Sequence, residues 1–182
     1  MKKLRLLLLM SFVTIVAYAQ DVFVFEGIEL HNTKGWTFTP SQNRFMTQIS
    51  ASKLKNYIYY MKLYQATITK IADTEEGIDL NEYLQEVISE QTTASMAGNG
   101  KYQLKIESIG ETTNGSVNGI PAIYADIIYD RQMYEWKTRV FVFKIENEVF
   151  SIVCMANGSK KKDKWFDEFE EFLGSFYYNP IE

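Results

Sequence analysis

The chain has 182 residues, 46% of them hydrophobic and 15% aromatic, which suits one domain of ordinary size with a substantial core. Its formal charge is −4, from 23 acidic and 19 basic residues, so it lacks the basic field that binding nucleic-acid phosphates requires. Cys154 is the single cysteine; no disulfide can form within the chain, and the fold must rest on its core.

Residues 1–19 read as a signal peptide. Lys2, Lys3 and Arg5 form a positive start, Leu6 to Val16 an apolar run, and Ala17-Tyr18-Ala19 a small-residue cleavage site. Cleavage is expected between Ala19 and Gln20, leaving 20–182 as a single periplasmic or secreted domain. The apolar run falls short of the roughly 20 residues that span a bilayer, and no second long one follows, which argues against an integral membrane protein. No cysteine stands near the cut, so a lipid anchor of the bacterial lipoprotein type is not expected. Loss of three basic residues leaves 16 against 23 acidic ones, a formal charge of −7.

Beyond the cut, Asp21 to Leu30 is β-prone with a break at Gly27. Lys34-Gly35 reads as a turn before a short strand, Trp36 to Phe38. Pro40 and Asn43 mark another break, and Phe45 to Ile49 a further strand. Asn56 to Tyr64 reads as a strand apolar on both faces. Tyr57, Tyr59, Met61 and Leu63 lie on one, and Ile58, Tyr60 and Tyr64 on the other, a pattern that predicts cover on both sides. Asp73 to Gly77 is an acidic loop. Asp79 then resembles an N-cap with Glu82 as its capping-box partner. Leu80, Tyr83, Leu84, Val87 and Ile88 follow at helical spacing, and the helix is expected to fade between Thr92 and Gly98.

Lys101 to Ser108 alternates polar and apolar residues, as a half-exposed edge strand does. Asn99-Gly100, Asn114-Gly115, Asn118-Gly119 and Asn157-Gly158 are predicted turns, because Asn-Gly favours positive φ. Strands are predicted at Ile120 to Asp130, Tyr134 to Ile145 and Glu148 to Ala156, the last two joined at Glu146-Asn147. Cys154, between Val153 and Met155, reads as a buried position. A terminal helix puts Trp165, Phe166, Phe169, Phe172, Leu173 and Phe176 on one stripe, with Gly174 at its C-cap. The order of elements predicts an α+β fold, an antiparallel sheet sandwiched between helices.

Gly119-Ile120-Pro121-Ala122 opening a strand, the aromatic-rich pair Tyr134–Phe143 and Val149–Met155, and a last helix closing on Gly174-Ser175-Phe176 together resemble the PsbP-like superfamily. That superfamily includes photosystem extrinsic subunits and DcrB-type exported bacterial proteins. The resemblance implies an α/β/α sandwich and a non-catalytic accessory or binding role. At Thr33-Lys34-Gly35-Trp36 the chain lacks the proline common at the corresponding place, and no metal or partner residue of the photosystem subunits has a match.

Few residues offer chemistry. His31, the only histidine, would have to serve any Ser-His-Asp or Cys-His site; the alternative is a polar residue at a strand end. Asp73, Glu75, Gly77 and Asp79 have the outline of a calcium loop, but Leu84 stands where the bidentate Glu is needed, which favours a solvated acidic turn. Asp126 and Asp130 share a strand face, as paired catalytic carboxylates can; surface aspartates are the commoner case. The tyrosines at 57, 59, 60 and 64 could form a sugar or peptide platform, against ordinary core packing. Lys160, Lys161, Lys162 and Lys164 stand around the first turn of the last helix, where the macrodipole disfavours cations. They are a candidate patch for an anionic partner, against a solvated face. No cofactor or metal is expected. The expected function is an exported, non-catalytic binding or accessory domain, its partner an unknown protein or envelope component. The alternatives are a small carboxylate-dependent hydrolase and a carrier of an apolar ligand.

Overall fold

The computed structural model describes residues 22–31, 33–56, 61–73, 77–96, 105–131, 134–158 and 166–180. Strands β1 (Val22–Phe25) and β2 (Ile28–His31) form a hairpin over Glu26 and Gly27. Both turn residues have positive φ, 49° and 76°, as a two-residue hairpin turn of type I′ demands. Next come β3 (Thr37–Gln42), β4 (Met46–Asn56), β5 (Met61–Ala72), α1 (Leu80–Met96), β6 (Lys105–Ile109) and β7 (Thr113–Val117). The chain continues through β8 (Ile120–Arg131), β9 (Tyr134–Ile145), β10 (Glu148–Gly158), α2 (Asp167–Gly174) and β11 (Phe176–Tyr178). The large sheet has the order β3-β4-β5-β10-β9-β8-β6, with β7 also paired to β8, and the small sheet the order β1-β2-β11. All these pairings are antiparallel.

Alternation along the long strands sorts side chains between two faces. On one face Ile49, Ile68, Ile152 and Phe141 are buried together with Phe169, Phe172 and Leu173 of α2 and with Ile28, Leu30 and Phe176 of the small sheet. Phe143 and Phe150 stack at 5.3 Å, and Phe176 meets each of them edge-on. Cys154 is buried in the same layer, and burial pushes its thiol up, out of reach of ionisation near neutrality. On the opposite face Leu84, Val87 and Ile88 of α1 pack on Ala125, Ile127 and Tyr129 of β8, Val140 and Val142 of β9, and Val153 of β10. The cap at Asp79 forms as its sequence predicts: Oδ1 accepts from the Asn81 and Glu82 backbone N–H groups at 2.8 and 3.1 Å.

The α+β class holds, but the helical cover is partial. One face is closed jointly by the small sheet and by α2, which has only eight residues. The other face is covered by α1 only over β6, β8, β9 and β10 among the described residues. Phe176, read as the end of the helical stripe, is instead the first residue of β11, and Gly174 is the last helical residue with Ser175 as C-cap. Asn56 to Tyr64, read as one strand, straddles the connection between β4 and β5. Pro40 does not break the chain; it lies within β3, an edge strand, where its missing N–H is tolerated. Asn114-Gly115 is not a turn but the middle of β7. A Cβ on Gly115 would stand 2.9 Å from the Tyr124 ring, so close packing calls for the glycine.

Charge also ties α2 to the large sheet. Lys53 and Lys55 of β4 both pair with Glu168, the Lys53 Nζ at 2.9 Å from Oε2. Burial pushes this carboxyl up, but the hydrogen bonds and charges of the two lysines outweigh burial and hold it below the ordinary glutamate value. A depressed folded-state pKa contributes stability that is present above the unfolded value, about 4.3. That contribution is lost as pH falls through the folded value. The stability gap between wild type and Glu168→Gln is therefore expected in full near pH 7 and to close below about pH 4. Urea unfolding at both pH values measures it; a gap of the same size at about pH 3 would show that charge is not what holds α2 here.

Candidate functional site

The partial cover by α1 leaves half of one sheet face open. In register on β3, β4 and β5 lie three rows: Thr37, Ser52 and Gln65; Thr39, Ser50 and Thr67; Ser41, Gln48 and Thr69. All nine are uncharged and polar, and none is buried. The change comes at β10. There Thr69 is opposite Ser151, Thr67 opposite Val153, and Gln65 opposite Met155; Val153 is already under α1. The same face thus passes from hydroxyls and amides to an apolar core across one strand.

Where the open half meets the helix there is a groove of about 460 Å³. Met46, Thr69 and Ile71 floor it, Gly77 to Asp79 close one end, and Glu82, Glu86 and Glu90 wall it with Tyr83 and Val87. The three glutamates are four residues apart and so share one edge of the helix. They are exposed, and no basic side chain is paired with them among the described residues. Tyr83 is half-buried between wall and floor. Burial pushes its phenol up, against a hydrogen bond with Ser151, and the Glu90 and Glu86 charges push the same way. The arrangement offers short hydrogen-bonding side chains on the open sheet beside a line of negative charge.

The residues singled out from sequence fall elsewhere. His31, on the outer face of the small sheet, has Nε2 3.1 Å from Glu29 Oε2 and its ring 4.6 Å from that of Tyr177; no described Ser or Cys side chain is paired with the ring. Asp126 is held by Arg139, which donates to both carboxylate oxygens at 2.6 and 2.8 Å and lies over the Tyr124 and Phe166 rings. The side chain of Asp130 lies outside the described residues. Asp73 pairs with Lys144 and accepts from the Ile78 N–H, while Asp79 caps α1, so both carboxylates are structurally engaged. Tyr64 is 2% exposed with Phe169 edge-on at 5.5 Å, a core residue and not part of a platform. Tyr57, Tyr59 and Tyr60 lie outside the described residues, as do Glu75, Lys160, Lys161, Lys162, Lys164 and residues 1–21.

Neither a protein-family model nor a curated protein matches the chain. Among solved structures, it is similar to LpqN of Mycobacterium tuberculosis, a protein involved in cell envelope biogenesis. The identity is 15%, covering 84% of this chain and 83% of that one, at a TM-score of 0.49. It is also similar to a Bacteroides thetaiotaomicron protein solved at 1.50 Å, at 9% identity and a TM-score of 0.51. That match covers 87% of this chain but 48% of the other, so this chain spans about half of that protein's length. At 9% identity the likeness to the second protein is one of fold. No described helix is long and apolar enough to cross a membrane.

Proposed function

We propose that this chain is an exported, non-catalytic binding module of the PsbP-like kind, whose ligand lies on the open half of the large sheet beside the glutamate edge of α1. The array of nine Ser, Thr and Gln residues carries this reading. It presents donors and acceptors on a lattice set by the strands, about 4.8 Å in one direction and 6.7 Å in the other. Most are short side chains, which lose little rotamer freedom when a ligand orders them. Support for export is the order of charged, apolar and small residues in the first 19 positions.

The hydrolase reading draws little support, because Asp126 and Asp73 are each committed to a basic partner. An apolar cargo is poorly matched to a groove walled by three carboxylates. The binding reading is tested with Ser50→Trp, which places a large ring at the centre of the array, and with Val24→Trp on the exposed small-sheet edge strand β1 as control. On a panel of soluble peptides and envelope polysaccharides, a ligand of the wild type is expected to lose at least about tenfold in affinity with Ser50→Trp and none with Val24→Trp. Binding that survives Ser50→Trp, or no binding to any member, overturns the proposal.

A further inference from the structure

The glutamate edge of α1 gives the open sheet face a charged border, and its sign and spacing select among polar partners. We infer that the face and its groove receive an extended stretch of basic polypeptide, with alternate Lys or Arg side chains directed at Glu82, Glu86 and Glu90. The inference rests on the binding reading above and adds the class of partner.

Spacing is the first argument. Four residues of α-helix rise about 6.0 Å, and two residues of an extended strand about 6.6 Å. Three carboxylates along α1 therefore match three same-side residues of an extended peptide to within about 1 Å over their whole span. The mismatch is smaller than the play in a flexible lysine stem. Charge is the second argument. The three glutamates have no basic partner among the described residues, so no described cation competes with a cationic ligand for them. The groove lining is the third. Met46, Ile71 and Val87 stand beside the carboxylates, and lysine and arginine lay their methylene stems on such apolar surface while their heads reach a charge. Thr69 on the groove floor and the polar rows beyond it then serve the peptide's own N–H and C=O groups, which Ser, Thr and Gln side chains can satisfy in either sense.

A polyamine or an amino-sugar polymer would share the charge but not the two-residue spacing, which makes them the controls. The probe is a dye-labelled heptapeptide of four lysines alternating with three threonines. It is compared with the same residues in blocked order, with four lysines followed by three threonines, by fluorescence anisotropy on the mature protein at low ionic strength. The alternating peptide is expected to bind at least about tenfold more tightly than the blocked one and to weaken with salt. Each exposed ion pair contributes up to about fivefold, so Glu82→Gln with Glu86→Gln and Glu90→Gln is expected to lose roughly ten- to a hundredfold. An unchanged far-UV spectrum would show that the triple variant stays folded. Spermine and an oligomer of glucosamine should compete poorly at equal charge. Equal binding of the two peptides, equal binding by the triple variant, full competition by spermine or the glucosamine oligomer, or no binding at all overturns the inference. A ligand that Ser50→Trp abolishes and the triple variant keeps would overturn this inference alone and leave the binding reading standing.

Discussion

Replacing Phe169 with alanine is expected to cost about 3–5 kcal/mol of folding stability, the range for removing a fully buried aromatic ring. Phe169 has no exposed surface, and its ring lies 6.1 Å from Trp36, 5.5 Å from Tyr64 and 5.8 Å from Phe166. Its loss strips contacts from β5, from the segment before β3 and from the start of α2 together. The helix has little else to hold it. Eight residues are too few for a helix to persist alone in water. Phe166 at the N-cap supplies no side-chain bond, so it gives none of the usual capping stabilisation. Packing, with the Glu168 ion pairs, therefore fixes α2. Urea unfolding monitored by fluorescence gives the cost; an unchanged midpoint would mean that α2 does not close the face as described.

Gly27→Ala is expected to cost about 3 kcal/mol or more, and Gly119→Ala about 1 kcal/mol, although the two glycines share nearly the same backbone. Their φ values are 76° and 80°, and each is the second residue of a two-residue hairpin turn. The left-handed conformation alone costs a non-glycine residue about 1–2 kcal/mol. At Gly119 a Cβ meets nothing within 4 Å, whereas at Gly27 it would stand 2.3 Å from the Asn179 carbonyl oxygen. Asn179 also donates its N–H to the Gly27 carbonyl at 2.8 Å. The added methyl group must push residues 178 and 179 away from the β1–β2 turn. The difference between the two variants isolates that contact from the conformational cost. Equal losses in thermal melts would show that the segment after β11 yields freely.

Local signals made the later strands legible. In β8, β9 and β10 the turns at Asn118-Gly119 and Glu146-Asn147 and the long β-branched and aromatic runs lie within a few residues of each other, and the predicted bounds agree closely with the observed ones. The cap and apolar stripe of α1 were readable for the same reason. β11 was not, because Phe176 continues the 3.6-residue period of α2 and only its pairing with Leu30, distant in sequence, makes it a strand. The aromatic run after Asn56 hid the boundary between β4 and β5, since an unbroken apolar run reads as one covered strand. The candidate site left a faint trace. Gln48, Ser50 and Ser52 alternate with Thr47, Ile49 and Ala51, and Gln65, Thr67 and Thr69 with Ala66 and Ile68, the pattern of a sheet with one solvated face. That the two polar sets adjoin, and that Glu86 and Glu90 border them, follows from register and helix placement, which local pattern does not carry.

The small sheet also governs when the molecule can become whole. β2 receives β11 as its second neighbour, and Asn179 reaches back to Glu29 across 150 residues. A ribosome delivers Ile28 and Leu30 long before it delivers Phe176, the side chain they are buried with. Until then the N-terminal hairpin has no lasting place, and the face it is to cover stays greasy and available. Closure of so long a loop is slow relative to local pairing, so the small sheet is completed after the hairpins of the large one. A seam sewn by β11 is a built-in delay in closing that face.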